Sequence, residues 1–143
     1  MTLHCRHRAG AALMAFAAIC GPAWSEAPRG ADFAAAMAAI EAGDAATAVA
    51  LFGDLAAAGD PAAQLNLAVL TARGEGVPQN DAAAAYWAWR ARLGGLAAAV
   101  SASDNLTGRL GPEARAALAR RLRDDLAAIA ETGGTWAFLG MAR

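Results

Sequence analysis

The sequence predicts an all-α fold assembled from antiparallel helix pairs. Three observations predict it: helix start and stop signals across residues 60–95, apolar residues at helical spacing between them, and an abundance of alanine, the strongest helix former. The stretch DPAAQLNLAVLTARGEGVPQNDAAAAYWAWRARLGG carries all three. Asp60 is an N-cap acceptor, and Pro61 fits the first helical turn, where its missing N–H has no partner to lose. Ala63, Leu67 and Leu70 form an apolar stripe at i, i+4, i+7. Gly74 and Gly76 stop that helix, and Val77-Pro78 forces an extended exit. Asn80 or Asp81 then caps a second helix, whose Ala84, Trp87 and Ala91 face back onto the first.

This hairpin resembles the Sel-1-like repeat, a relative of the tetratricopeptide repeat. The family pattern runs A-x-A-Q-x-N-L-G-x-L-Y-x-x-G-x-G-V-P-Q-D, then A-x-x-W-x-x-x-A-A-x-x-G. Ala62, Gln64, Asn66, Leu67, Leu70, Gly74, Gly76, Val77, Pro78, Gln79, Ala84, Trp87, Ala91 and Gly95 fall on it without a gap. Ala68 stands where the family has a glycine, Thr71 or Ala72 where an aromatic is common, and Arg92 where a small residue is usual. The match covers one repeat, residues 60–95. It implies a short right-handed solenoid of antiparallel helix pairs, and with it a role in protein–protein interaction.

A lone helix pair cannot bury its apolar face, so flanking units are expected. Stepping back 36 residues places Ala48, Leu51 and Leu55 on the positions of Ala84, Trp87 and Ala91. Asp44–Ala58 therefore reads as a second helix with Gly43-Asp44 as its turn and cap, and Ala31–Ala42 (Phe33, Met37, Ile40) as a first helix. Stepping forward aligns Leu106 with Leu70, but the Gly-x-Gly-Val-Pro loop is missing. Residues 31–59 and 96–131 are thus degenerate flanking units, the latter a helix over Leu96–Arg109 and a longer one over Pro112–Glu131. That last helix carries Leu118, Leu122, Leu126 and Ile129 on one face and arginines and aspartates on the other, as a terminal cap requires.

Gly133-Gly134 ends it, and Trp136, Phe138, Leu139 and Met141 follow. These side chains are too apolar for a free tail. Either they fold back onto the terminal helix, or Ala137-Phe138-Leu139-Gly140 opens a further unit like Leu65-Asn66-Leu67-Ala68. In the second case the covering surface comes from sequence beyond Arg143 or from another chain, with self-association through Trp136, Phe138 and Leu139.

Residues 1–25 have the layout of a secretory signal peptide. Arg6 and Arg8 form the basic start, Ala11–Cys20 the apolar core, and Ala23-Trp24-Ser25 a small-x-small cleavage site before Glu26. An apolar run this short does not cross a bilayer, which takes about 20 residues. A lipoprotein signal needs a small residue before Cys20, where Ile19 stands. The expected location is periplasmic or secreted, with residues 26–143 as the repeat domain.

Cleavage removes Cys5, Cys20, His4 and His7, and all 12 basic residues of the chain are arginine. Residues 26–143 therefore hold no His, Cys or Lys, which removes the imidazole base, the thiolate nucleophile, the Schiff-base lysine and the usual zinc ligands. No cofactor and no metal site are expected. Two carboxylates suffice for glycosidic chemistry, but Asp124 and Asp125 are adjacent on a helix, diverge, and read as a solvated face paired with Arg120 and Arg121. Gly74-Glu75-Gly76 lacks the lysine of a phosphate loop. Without Arg6 and Arg8, ten arginines face 13 acids. That balance argues against nucleic acid and against an anionic membrane surface as partners.

Two surfaces are candidates for a protein or peptide partner. Leu65, Val69 and Arg73 form a stripe at i, i+4, i+8, suited to a peptide with an acidic group, unless Phe33, Met37 or Leu106 covers it. Tyr86, Trp89 and Arg90 lie on the outer side of their helix, where Trp89 either packs on the third unit or serves as an anchor. The expected function is that of a non-catalytic exported adaptor. A carboxylate-based hydrolase acting on cell-wall material is the alternative.

Overall fold

A computed structural model describes residues 29–131; the signal segment and Trp136, Phe138, Leu139 and Met141 lie outside the described residues. The architecture is all-α, and no strand occurs among the described residues. Six helices follow in order: α1 (Arg29–Glu41), α2 (Ala45–Ala57), α3 (Pro61–Arg73), α4 (Asp81–Leu93), α5 (Ala99–Arg109) and α6 (Pro112–Glu131). Each of the first five packs against its sequence neighbour, and α6 packs on α4.

Local chemistry sets these boundaries. Asp44, Asp60 and Asn80 each accept a hydrogen bond from the backbone N–H three residues on, at 3.1, 2.9 and 3.0 Å. Of the two candidates for the fourth cap, Asn80 is the one used. The ends of α2 and α4 close alike. Asp60 N–H donates to Leu55 O and Gly59 N–H to Ala56 O; 36 residues later Leu96 N–H donates to Ala91 O and Gly95 N–H to Arg92 O. These paired bonds require a left-handed residue between helix and exit, and Gly59 (φ 93°) and Gly95 (φ 87°) supply it. The helix expected to start at Leu96 starts at Ala99 instead. Leu96 is committed to closing α4, and α5 opens at Ala98 with no side-chain cap.

Burial recurs with the same step. Ala63, Leu67 and Leu70 of α3 are buried, as are Ala99, Ser103 and Leu106 of α5. Ala48 and Phe52 of α2 are sealed from solvent, as are Ala84 and Ala88 of α4. One core cluster gathers Phe52, Leu55, Leu67 and Leu70; a second gathers Tyr86, Leu106, Leu110 and Leu118. Trp87 packs against both and joins them. Most other core positions are alanine, which lets helix backbones approach closely while each contact buries little area.

Ion pairs fix the second half. Asp81 at the start of α4 meets Arg109 at the end of α5 at 2.9 Å, so the two helices run antiparallel. Arg92 reaches Asp104 at 2.7 Å and lies over the Trp89 ring, 4.6 Å from its centroid. Arg92 thus serves the α4–α5 contact.

Candidate functional site

An open groove of about 370 Å³ runs between α4, α5 and α6. Trp89 and Leu93 of α4, Thr107 of α5 and Leu118, Leu122 and Leu126 of α6 line it, with Arg115 and Arg123 at its rim. Its walls are predominantly apolar. Leu93 and Leu126 are 42% and 49% exposed, whereas Leu118 is buried. The gradient follows from length: α6 has 20 residues and α4 and α5 have 13 and 11, so the leucine stripe of α6 outruns the surface available to cover it.

Each wall is held from behind. Trp89 is half-buried and its indole N–H donates to Thr107 Oγ1 at 2.8 Å, fixing the ring against α5. Thr107 in turn donates to Ser103 O. The Arg115 guanidinium donates to Thr107 O and Gly108 O, both at 3.0 Å, capping the end of α5 with the start of α6. The other end of α6 is pinned through Asp125, which accepts from the Tyr86 hydroxyl at 2.5 Å and from Arg90 at 3.2 Å. Arg121 covers the Tyr86 ring at 3.8 Å.

These contacts correct two expectations. Tyr86 does not lie on an outer surface: it is buried under α6 and belongs to the second core cluster. Asp125 does not pair with arginines of its own helix but with Arg90 on α4. Arg90 is therefore engaged within the chain, and Trp89 packs on α5 while presenting part of its surface to the groove. Leu65, Val69 and Arg73 sit elsewhere, on α3. Leu65 and Val69 are half-buried and outside both core clusters, and Arg73 is exposed, 3.7 Å from Glu75. The two expected surfaces are thus separate.

The sequence places Leu118, Leu122, Leu126 and Ile129 on one face of a terminal cap, and that spacing alone does not show the groove. The signal was the mismatch between a long apolar stripe and the shorter helices beside it.

Among the described residues no group of three or more His, Cys, Asp or Glu side chains is placed to hold a metal ion, and no helix is long and apolar enough to cross a membrane. Among the described residues the groove lining contains no carboxylate. No family model, curated protein or solved structure matches the chain.

Proposed function

We propose that this chain is an exported adaptor, a short right-handed solenoid of Sel-1-like helix pairs that binds a protein or peptide partner and performs no catalysis. The recurrence of caps, helix ends and buried positions at a step of 36 residues carries the reading. Stacked units of this kind bury a continuous core and present extended surfaces, which suits them to binding. The exposed Arg73 beside Leu65 and Val69 fits a peptide that pairs an apolar residue with a carboxylate. Residues 26–143 offer no imidazole, thiol or amine side chain, and the described groove lining offers no acid–base pair. The signal segment supports a periplasmic or secreted location.

A photo-crosslinking residue at Val69, introduced in cells that make the chain, tests this. The expected result is one defined adduct that reappears with purified partner and disappears in Leu65→Glu. Hydrolysis of cell-wall material by the purified chain, with no adduct, would replace the adaptor by the carboxylate-based hydrolase. Mass spectrometry of the exported species checks the location, with Glu26 as the expected first residue.

A further inference from the structure

We propose that the groove between α4, α5 and α6 docks an amphipathic helix of another protein, one that carries an acidic side chain beside its apolar stripe. The groove lies apart from Leu65, Val69 and Arg73 on α3, so it adds a second surface to the adaptor reading without resting on the first. Its floor is a continuous apolar face of α6, formed by Leu118, Leu122 and Leu126, with Trp89 and Leu93 of α4 beside it. With the whole chain present, Leu93 and Leu126 remain 42% and 49% exposed.

The polar groups around the groove decide the form of its occupant. The Trp89 indole N–H is engaged by Thr107, the Thr107 hydroxyl by Ser103 O, and Arg115 Nε and Nη2 by Thr107 O and Gly108 O. The walls are helices, whose backbone groups bond within their own turns. An extended peptide would bury N–H and C=O groups where few partners are offered. A helix satisfies its own backbone and lays only side chains into the groove. From Arg115 to Leu126 the floor runs about 16 Å along α6, or about three helical turns.

Charge decides the sequence of that helix. Arg123 is exposed and makes no ion pair among the described residues. Its neighbours three and four residues away on α6 are Ala119, Arg120, Leu126 and Ala127, none of them an acid. Arg115 meets carbonyls and no carboxylate. A carboxylate on the occupant therefore meets an uncompensated positive rim, and it matches the planar guanidinium of Arg123. A second copy set groove to groove would bring arginine against arginine.

The test selects displayed peptides of about four helical turns, randomised along one face, on the full chain and on the chain carrying Arg123→Glu, a change at an exposed position. Peptides selected on the full chain are expected to join an apolar stripe to Glu or Asp and to bind Arg123→Glu about tenfold more weakly. Those selected on Arg123→Glu are expected to carry Lys or Arg instead. Added to isotope-labelled full chain, the first group should shift the Trp89 indole resonance and the amides of residues 118–126. A proline at the peptide's centre should abolish those shifts. No enrichment, equal acid content on the two chains, or binding that survives the proline would each overturn the proposal. Shifts confined to α3 would overturn the groove while keeping the adaptor. Concentration-dependent shifts of the groove resonances without peptide would put a second copy there and overturn it as well.

Discussion

The Tyr86 hydroxyl donates to Asp125 Oδ2 at 2.5 Å, joining α4 to α6 across 39 residues of sequence. Arg90 Nη1 donates to the same oxygen at 3.2 Å and to the Tyr86 oxygen at 2.9 Å, so three side chains form one closed set. The last two turns of α6 carry mostly exposed residues, and this set ties their start to α4. Tyr86→Phe removes a hydrogen bond to a charged acceptor while keeping the ring beneath Arg121. It is expected to cost about 1–2 kcal/mol, discounted because the Asp125 side chain is 31% exposed. Hydrogen exchange should accelerate over residues 120–131 and not over α2 or α3. Uniform acceleration through the chain would show that α6 is not held locally.

The left-handed glycines of the α3–α4 loop and of the α4 exit should rank in a definite order. Gly76 has φ 72°, and a Cβ there overlaps the carbonyl of Ala45 and lies 2.8 Å from Ala46 N, both backbone of α2. Gly74 has the same φ, and its Cβ meets Gln79 Cβ at 3.2 Å and Gln79 N at 3.3 Å, so the loop must give by a few tenths of an ångström, less than at Gly76. Gly95 has φ 87° and open space around it. Left-handed backbone alone costs an L-residue about 1–2 kcal/mol. Gly95→Ala should show that cost, Gly74→Ala slightly more, and Gly76→Ala the most. Melting temperatures of the three variants give the ranking, and equal shifts would deny the contact between the loop and α2.

How much of this was legible follows from the kind of signal involved. Asp44, Asp60 and Asn80 mark helix starts through chemistry confined to three neighbouring residues, and the structure uses each of them as a cap. The buried stripe Ala63, Leu67, Leu70 likewise needs only helical spacing. Tyr86 and Asp125 were misread because their pairing depends on where α6 lies, and periodicity within one helix is blind to that. Helical spacing extends α5 back to Leu96, three residues before its start at Ala99, because Leu96 closes the end of α4. The groove escaped notice for a similar reason: it is a property of three helices of unequal length.

Asp44 introduces a pH dependence. The Thr47 hydroxyl donates to one carboxylate oxygen at 2.7 Å, and the Thr47 backbone N–H donates to the other at 3.1 Å. The side-chain bond first and the backbone bond second lower its pKa below the ordinary aspartate value of 3.8. Because the folded value lies below the unfolded one, the stabilisation is present above 3.8 and is lost as pH falls through the folded value. Asp44→Asn keeps an acceptor but does not titrate. The difference in urea midpoint between the two chains at pH 7 should shrink as pH falls through the carboxylate range. A difference that stays constant down to the acid limit would mean the cap is not charge-dependent.

Phe52 and Ala88 occupy corresponding places, 36 residues apart and both at 0% exposure, yet they differ by a benzene ring. The difference lies in the neighbours: Phe52 meets Phe33 of α1 edge-to-face at 5.4 Å, whereas Ala88 lies in the cluster with Leu106, Leu110 and Leu118. Phe52→Ala removes a fully buried ring and leaves a cavity, which costs about 3–5 kcal/mol. Ala88→Leu adds volume where the helices already touch, which costs about 1–3 kcal/mol by overpacking. The locations should differ too. Phe52→Ala should weaken exchange protection in α1 and α2, and Ala88→Leu should weaken it in α5 and α6. Identical protection profiles for the two variants would mean that the two clusters unfold as one unit through Trp87, and the separation between them would carry no energetic meaning.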